Sequence, residues 1–313
     1  MSDLSPAQQD VLDQLGATPG ERPEFDAELR YELRGELEKG IGEHVRLLGA
    51  EDQVFANKHA LTAVHGCESK YLAEMEFPGW SVPLARGTIV HKAIELSINW
   101  RGTPNPADLV DEALGTLEHS EQLISAFLQE LSEVDRAQLR SDVVGHVTAF
   151  TECWPPLERR WRPVTESKVR LELFDGQVVL QGKIDLTLGR ADGKRAGKVL
   201  IDLKSGKLRA SHLDDLRYYA LIETIRIGVP PRRLASYYLD QGRFHPEDVN
   251  EDLLFAAAGR AAAGIRQMIE LQLNHRDPGL MVGPQCRWCA IRDTCEAGQR
   301  HLNEFDDPLE DLV

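Results

Sequence analysis

The sequence predicts an α/β fold, a mixed central sheet with flanking helices, enlarged by helical additions. Three observations predict it. Two neighbouring segments, Val164 to Leu173 and Val178 to Leu188, alternate apolar and polar residues in the manner of half-buried strands. A short apolar strand, Val199 to Lys204, follows, and a helical stretch separates it from one more strand at Ser236 to Leu239. Three closely spaced strands plus one reached by a helical crossover make a mixed sheet.

In chain order, residues 1–54 read as a helical extension. Phe25, Leu29, Leu33 and Leu37 recur at i, i+4 in it and form one apolar stripe suited to packing. Residues 55–163 read as a helical region. One helix is expected from Phe55 through Met75, carrying Cys67. Pro78, Gly79 and Pro83 break it, and a second runs from Leu84 to Trp100 with His91. Residues 164–245 carry the sheet, with an Asp175–Gly176 turn, a Gly-containing turn from Ala191 to Gly197, and a helix from His212 to Ile227 closed by Gly228 and Pro230. Residues 246–313 carry a last helix, Glu251 to Leu273, then a cysteine loop and an acidic tail.

Composition narrows the function. A chain of 313 residues, 42% hydrophobic and 28% charged, can bury a real core. No stretch approaches the roughly 18 apolar residues of a membrane span. The start MSDLSPAQQDVLDQLG lacks the basic and apolar runs of a signal peptide, so the expectation is a cytoplasmic protein. Five cysteines there suggest metal or redox chemistry rather than disulfides. The formal charge of −15 argues against a nucleic-acid partner, yet it is unevenly placed. From Pro155 to His245 there are 18 Lys and Arg against 11 Asp and Glu, a net of +7, so the remainder carries −22. A basic centre with acidic flanks suits a channel for a polyanion; a solvated mixed surface is the plainer reading.

The sharpest local signal is Ile201-Asp202-Leu203-Lys204. Strand side chains alternate, so Asp202 and Lys204 share a face and Leu203 points to the other. Gly182-Lys183-Ile184-Asp185 precedes it on a strand expected to be its neighbour. Two carboxylates from adjacent strands make a hard oxygen site for Mg²⁺ or Mn²⁺. Asp202 and Lys204 alone could equally be a surface pair on an edge strand. Around them stand Arg86-Gly87-Thr88-Ile89-Val90-His91, then Glu166, then Asp215 and Tyr219 four apart on one helix face. Near the C-terminus, Cys286-x-x-Cys289-x₅-Cys295 has a metal-binding spacing but is one thiolate short of a closed soft site. Cys67 and Cys153 are the other candidates.

In sequence order these elements, from Asn57 to Gly298, resemble the RecB-like branch of the PD-(D/E)xK nuclease superfamily, which includes CRISPR-associated exonucleases. The resemblance implies a restriction-endonuclease-like core and hydrolysis of DNA phosphodiesters. It implies His91, Asp185 and Asp202 as Mg²⁺ or Mn²⁺ ligands, helped by a backbone carbonyl near Leu203. Lys204 would orient or activate water, Glu166 would be an auxiliary acid, and Tyr219 would belong to the catalytic helix. The family's helix carries Gln-x-x-x-Tyr where this chain has Asp215 and Tyr219; an acid there would bind a second metal or weaken contact with DNA. In iron–sulfur members of the branch one cysteine precedes the core and three follow it, which implies a [4Fe-4S] cluster on Cys67, Cys286, Cys289 and Cys295. Zinc is the alternative that spacing leaves open. Cys153 remains as a small core residue.

The expected activity is therefore a metal-dependent deoxyribonuclease, an exonuclease by resemblance, serving repair, recombination or defence. Arg159, Arg160, Lys207, Arg209, Arg232 and Arg233 are candidates to track the backbone of single-stranded or end-containing duplex DNA. The sequence has no G-x-x-x-x-G-K-[ST] loop, so ATP hydrolysis would fall to a separate helicase. The alternative is a catalytically weak module that binds DNA ends or partners within a helicase–nuclease or CRISPR adaptation complex.

Overall fold

The computed structural model describes residues 4–17, 19–76, 79–98, 100, 102, 104–120, 123–206 and 211–305. They divide into two compact units. The first comprises residues 1–35, 80–171 and 181–258, and the second residues 36–79, 172–180 and 259–313.

The strands in chain order are β1 (Val54–Ala56), β2 (Val164–Leu173), β3 (Val178–Leu188), β4 (Val199–Lys204), β5 (Arg233–Tyr238) and β6 (Arg243–Asp248), with the end of β2 and the start of β3 counted in the second unit. β4 pairs antiparallel with β3, parallel with β5, and β5 antiparallel with β6. The parallel pair needs a crossover, which is the helix Ser211–Ile227. Its C-terminal end is marked by Gly228 at φ +91°, a left-handed position that glycine takes without steric cost. The mixed sheet with flanking helices agrees with the expectation from sequence.

The helices, in order, are α1 (Pro6–Leu15), α2 (Leu29–Val45), α3 (Lys58–Gly66), α4 (Glu68–Glu76), α5 (Val82–Ile98), α6 (Pro106–Glu118), α7 (Leu123–Glu130), α8 (Glu133–Cys153), α9 (Ser211–Ile227), α10 (Glu251–Gln272) and α11 (Glu296–Phe305). Several starts are set by local chemistry. Ser5 and Gln8 form a reciprocal capping box on α1, and Asn57, Asn105 and Ser132 cap α3, α6 and α8. Pro83 lies in the first turn of α5, where a missing N–H costs nothing, so it opens that helix.

The core of the first unit lies between α5, α6 and α8 and one face of the sheet. Ile89, Val90, Leu109, Val143 and Val147 meet Ile201, Leu203, Ala235 and Tyr237 there. Alternation therefore turns Asp202 and Lys204 to the other face, where α9 packs on β4 and β5. In the second unit, β1 pairs in parallel with Val178, Val179 and Leu180. Leu33, Leu37 and Ile41 of the α2 stripe are fully buried.

Four expectations change. The helix expected from Phe55 to Met75 is a short strand followed by two helices parted at Cys67, which has extended backbone (φ −115°, ψ 111°). β1 and β6 were not expected at all. The strand expected at Ser236–Leu239 begins three residues earlier, at Arg233.

Candidate active site

β3 and β4 run as a ladder only to the pair Leu186↔Ile201. Beyond it the strands part, and the Asp185 carboxylate fills the gap: Oδ2 accepts the Leu203 N–H at 2.8 Å. The Leu203 carbonyl is met by α5, whose His91 donates from Nε2 at 2.9 Å. A carbonyl only accepts, so Nε2 carries a proton here. His91 Nδ1 then faces Asp185 Oδ1 at 3.4 Å and Glu166 Oε1 at 4.0 Å. Burial disfavours the imidazolium, but Asp185, Glu166 and Asp202 together outweigh it and raise His91 to about 9.

Glu166 reaches this point through its backbone. It has φ +51° inside β2, a left-handed conformation that a residue with a Cβ seldom adopts. From Lys168 onward β2 alternates regularly, with Val169, Leu171 and Leu173 inside. The kink at Glu166 breaks that alternation and re-aims the side chain, as bulges beside functional sites do. Its other oxygen is ion-paired with Lys183.

Among the described residues, His91, Glu166 and Asp185 bring one ligand atom each within 4.8 Å of one another. Three hard or borderline donors, two of them carboxylates, match the preferences of Mg²⁺ or Mn²⁺. Asp202, 2% exposed, pairs instead with Lys204, whose Nζ is 2.7 Å from Asp202 Oδ2 and 3.0 Å from Asp215 Oδ2. The acid at the place of the family glutamine thus holds the lysine.

Tyr219 is buried beneath β3, and its hydroxyl accepts the Lys183 N–H at 3.3 Å. Gly182 is what permits this, because a Cβ there would lie 2.4 Å from the Tyr219 ring. At the start of α5, Arg86 donates to the Ser205 carbonyl at 3.4 Å and so ties the turn after β4 to the helix that bears His91. Lys183 and Arg86 were quoted within motifs but given no role by the sequence; only the fold shows what they touch.

The basic candidates scatter. Arg159 and Arg160 are exposed on a 3₁₀ turn, Arg160 paired with Glu158 at 2.7 Å. Arg233 makes a two-point pair with Asp248 at 2.7 and 3.1 Å. Arg232 is a correction to the expected surface role: it is buried and donates to the Leu15 carbonyl at the end of α1. Lys207 and Arg209 lie outside the described residues.

In the second unit, Cys67, Cys286, Cys289 and Cys295 line one cavity together with Lys70. All four are free thiols. Gly298 donates its N–H to Cys295 Sγ at 3.4 Å, and a Cβ on Gly298 would stand 3.5 and 3.6 Å from the sulfurs of Cys295 and Cys286. Burial pushes the Cys289 thiol up. Cys153 is elsewhere, in the first unit, packed against the core.

A model of the PD-(D/E)XK nuclease superfamily matches residues 58–296. None of the curated proteins matches the chain. Among solved structures, it is similar to a candidate exonuclease from Eubacterium rectale, with 11% identity and a TM-score of 0.45, covering 92% of this chain and 100% of that one. It is also similar to the protein SSO0001, with 12% identity and a TM-score of 0.37, covering 86% of this chain and 97% of that one. Among the described residues, no helix is long and apolar enough to cross a membrane.

Proposed function

Because the chain belongs to the PD-(D/E)XK nuclease superfamily, we propose that it is a metal-dependent deoxyribonuclease of the RecB-like branch, acting as an exonuclease in repair, recombination or defence. The observation that carries this reading is the convergence of His91, Glu166 and Asp185 on one point beside the Leu203 carbonyl. These groups would hold Mg²⁺ or Mn²⁺, with Asp202 closing the set. The ion supplies charge stabilisation to the phosphate under attack.

The chain's own residues do the rest. The carboxylates that raise His91 are the negative charge a divalent cation would compensate. Lys204, fixed between Asp202 and Asp215, orients the attacking water and donates to the phosphate. Glu166 and Lys183 form a pair at the rim that positions the water side of the site. Tyr219 supports β3 from below through Lys183. Arg159, Arg160, Lys207 and Arg209 are proposed to follow the backbone of single-stranded or end-containing duplex DNA. A helicase partner would supply the single strand.

For the cysteines the proposal is a [4Fe-4S] cluster on Cys67, Cys286, Cys289 and Cys295. Four free thiols around one cavity support a soft, sulfur-only site. Zn²⁺ is the alternative occupant.

One observation favours a second reading. Asp215 occupies Lys204, which suits a catalytically weak module that binds DNA ends or a partner. Digestion of end-labelled single- and double-stranded DNA, with and without Mn²⁺, separates the two. Mononucleotides released from one end support the exonuclease, and internal fragments would make it an endonuclease. Binding without cutting supports the weak module; neither binding nor cutting would overturn both.

A further inference from the structure

The first unit holds another cavity, at the opposite end of β4 from Asp202 and Lys204. Its volume is about 260 Å³. Leu188 and Val199 form its floor where β3 ends and β4 begins, and Trp154 and Trp161 wall it. Arg22 and Arg232 project charge into it, with Arg160 beside them.

Three donors in this lining are buried without a hydrogen-bond partner: Arg22 Nε, Arg232 Nε and Trp154 Nε1. Buried donors are nearly always paired in folded proteins, so three beside one cavity are an uncommon concentration of unmet donors. Arg232 is only 8% exposed. Its Nη2 is taken by the Leu15 carbonyl, while Nε is not. Burial, helped by the positive charge of Arg233 and Arg22, lowers Arg232 to about 10, with Asp248 acting weakly the other way. Asp248 is itself committed to Arg233 at 2.7 and 3.1 Å. Gly197 also lines it. A Cβ on Gly197 would stand 3.1 Å from Arg22 Nη1 and 2.0 Å from the Arg190 carbonyl.

We propose that this cavity is a binding site for a nucleotide phosphate, with Arg22 and Arg232 taking the phosphate oxygens and Trp161 taking the base. Two guanidinium groups lining one cavity offer more charge and more donors than one carboxylate would use, and they suit a phosphomonoester with its several acceptor oxygens. A half-buried indole with an arginine 5.9 Å from its ring centre is the kind of platform on which bases stack. The volume lies just below the roughly 300–1,000 Å³ of ligand pockets, so it suits one nucleotide rather than a strand. That nucleotide is either free or the phosphorylated end of a DNA strand. The site is independent of the metal-binding carboxylates.

Calorimetry in EDTA tests the proposal, since no divalent ion then recruits phosphate to Asp185. The probes are dAMP, deoxyadenosine, inorganic phosphate and a short 5′-phosphorylated oligonucleotide. One dAMP should bind per chain, inorganic phosphate more weakly, and deoxyadenosine not measurably. Arg22→Gln should weaken dAMP by about tenfold or more, with melting temperature unchanged, and Arg22→Lys should fall between. Should Arg22→Gln fold poorly, Trp161→Ala takes its place. It should bring dAMP down to the affinity of inorganic phosphate and leave the latter alone. Oligonucleotide binding as tight as that of dAMP, and weakened alike by Arg22→Gln, assigns the strand end; binding of dAMP without such an oligonucleotide response assigns the free nucleotide. No binding of dAMP or phosphate at millimolar concentration would mean that the cavity takes no phosphate, and the proposal falls. It falls equally if deoxyadenosine binds as well as dAMP, or if a folded Arg22→Gln binds like wild type.

Discussion

Asp185 and Leu203 are joined across two strands that no longer pair: the Asp185 carboxylate accepts the Leu203 N–H at 2.8 Å, one step past the last rung of the β3–β4 ladder. One oxygen of Asp185 thus has a structural task, and the other faces His91 at 3.4 Å. The two tasks are separable. Asp185→Asn keeps an acceptor for the Leu203 N–H but removes the charge. Asp185→Ala removes both and leaves a buried N–H unpaired, which costs about 1–3 kcal/mol. Both variants should lose DNA cleavage by about a hundredfold or more, as expected when charge stabilisation is removed. Only Asp185→Ala should melt clearly earlier. Equal melting of the two variants would show that the Leu203 bond contributes no stability.

The backbone at Glu166 makes a second prediction. Its φ of +51° strains any residue with a Cβ by about 1–3 kcal/mol, and glycine escapes that strain. Glu166→Gly should therefore be more stable in urea melts than Glu166→Ala by about 1 kcal/mol, although both lose the carboxylate and its pair with Lys183. If Glu166→Ala is the more stable of the two, the left-handed conformation is not held in solution.

How much of this was legible beforehand follows from what each residue's position depends on. That Asp185 and Asp202 stand on neighbouring strands could be read from strand period and spacing, and β3 does pair with β4. That Gly182 precedes Asp185 was visible as a pattern, but its reason, the Tyr219 ring, needs α9 folded onto β3. β1 was missed because three residues are too few to show alternation. β6 was missed because Pro246 and its charged neighbours argue against a strand, yet an edge strand tolerates them. Arg232 looked like a surface cation because nothing local says that the last turn of α1 will accept its proton donors. The kink at Glu166 likewise has no signature in residue type.

In the second unit, Glu74 gives a prediction in pH. His59, whose Nε2 lies 3.4 Å from Glu74 Oε2, lowers it most; burial opposes this, and Lys70 adds to the lowering, so Glu74 comes to about 2. A carboxylate depressed in the folded state stabilises it above the unfolded value near 4.5, and that stabilisation is lost as pH falls from there to about 2. With the side chain 30% exposed, solvent screening reduces the contribution to about 1 kcal/mol. Glu74→Gln should therefore be less stable than wild type by about that amount at pH 7 in urea melts. The difference should shrink toward zero by pH 2. A constant difference across that range would assign the effect to packing rather than to charge.

The last prediction concerns the four cysteines. Cys67 stands where the chain leaves α3 and enters α4, and the other three lie in the segment between α10 and α11. All four line one cavity of the second unit. A group bound by them closes a loop from residue 67 to residue 286, which strongly restricts the unfolded chain. Replacing Cys67 by Ala should therefore lower both metal content and melting temperature, and so should replacing Cys286, Cys289 or Cys295. Cys153→Ala should change neither, because Cys153 packs in the first unit near Tyr237 and Gly242. Protein purified without oxygen should be brown and contain iron and acid-labile sulfide in equal amounts. Zinc in their place, at one ion per chain, would assign the site to Zn²⁺ and keep the ligand set. A brown Cys67→Ala variant with full iron content would remove Cys67 from that set, and its loss of stability, if any, would then have to come from the α3–α4 turn alone.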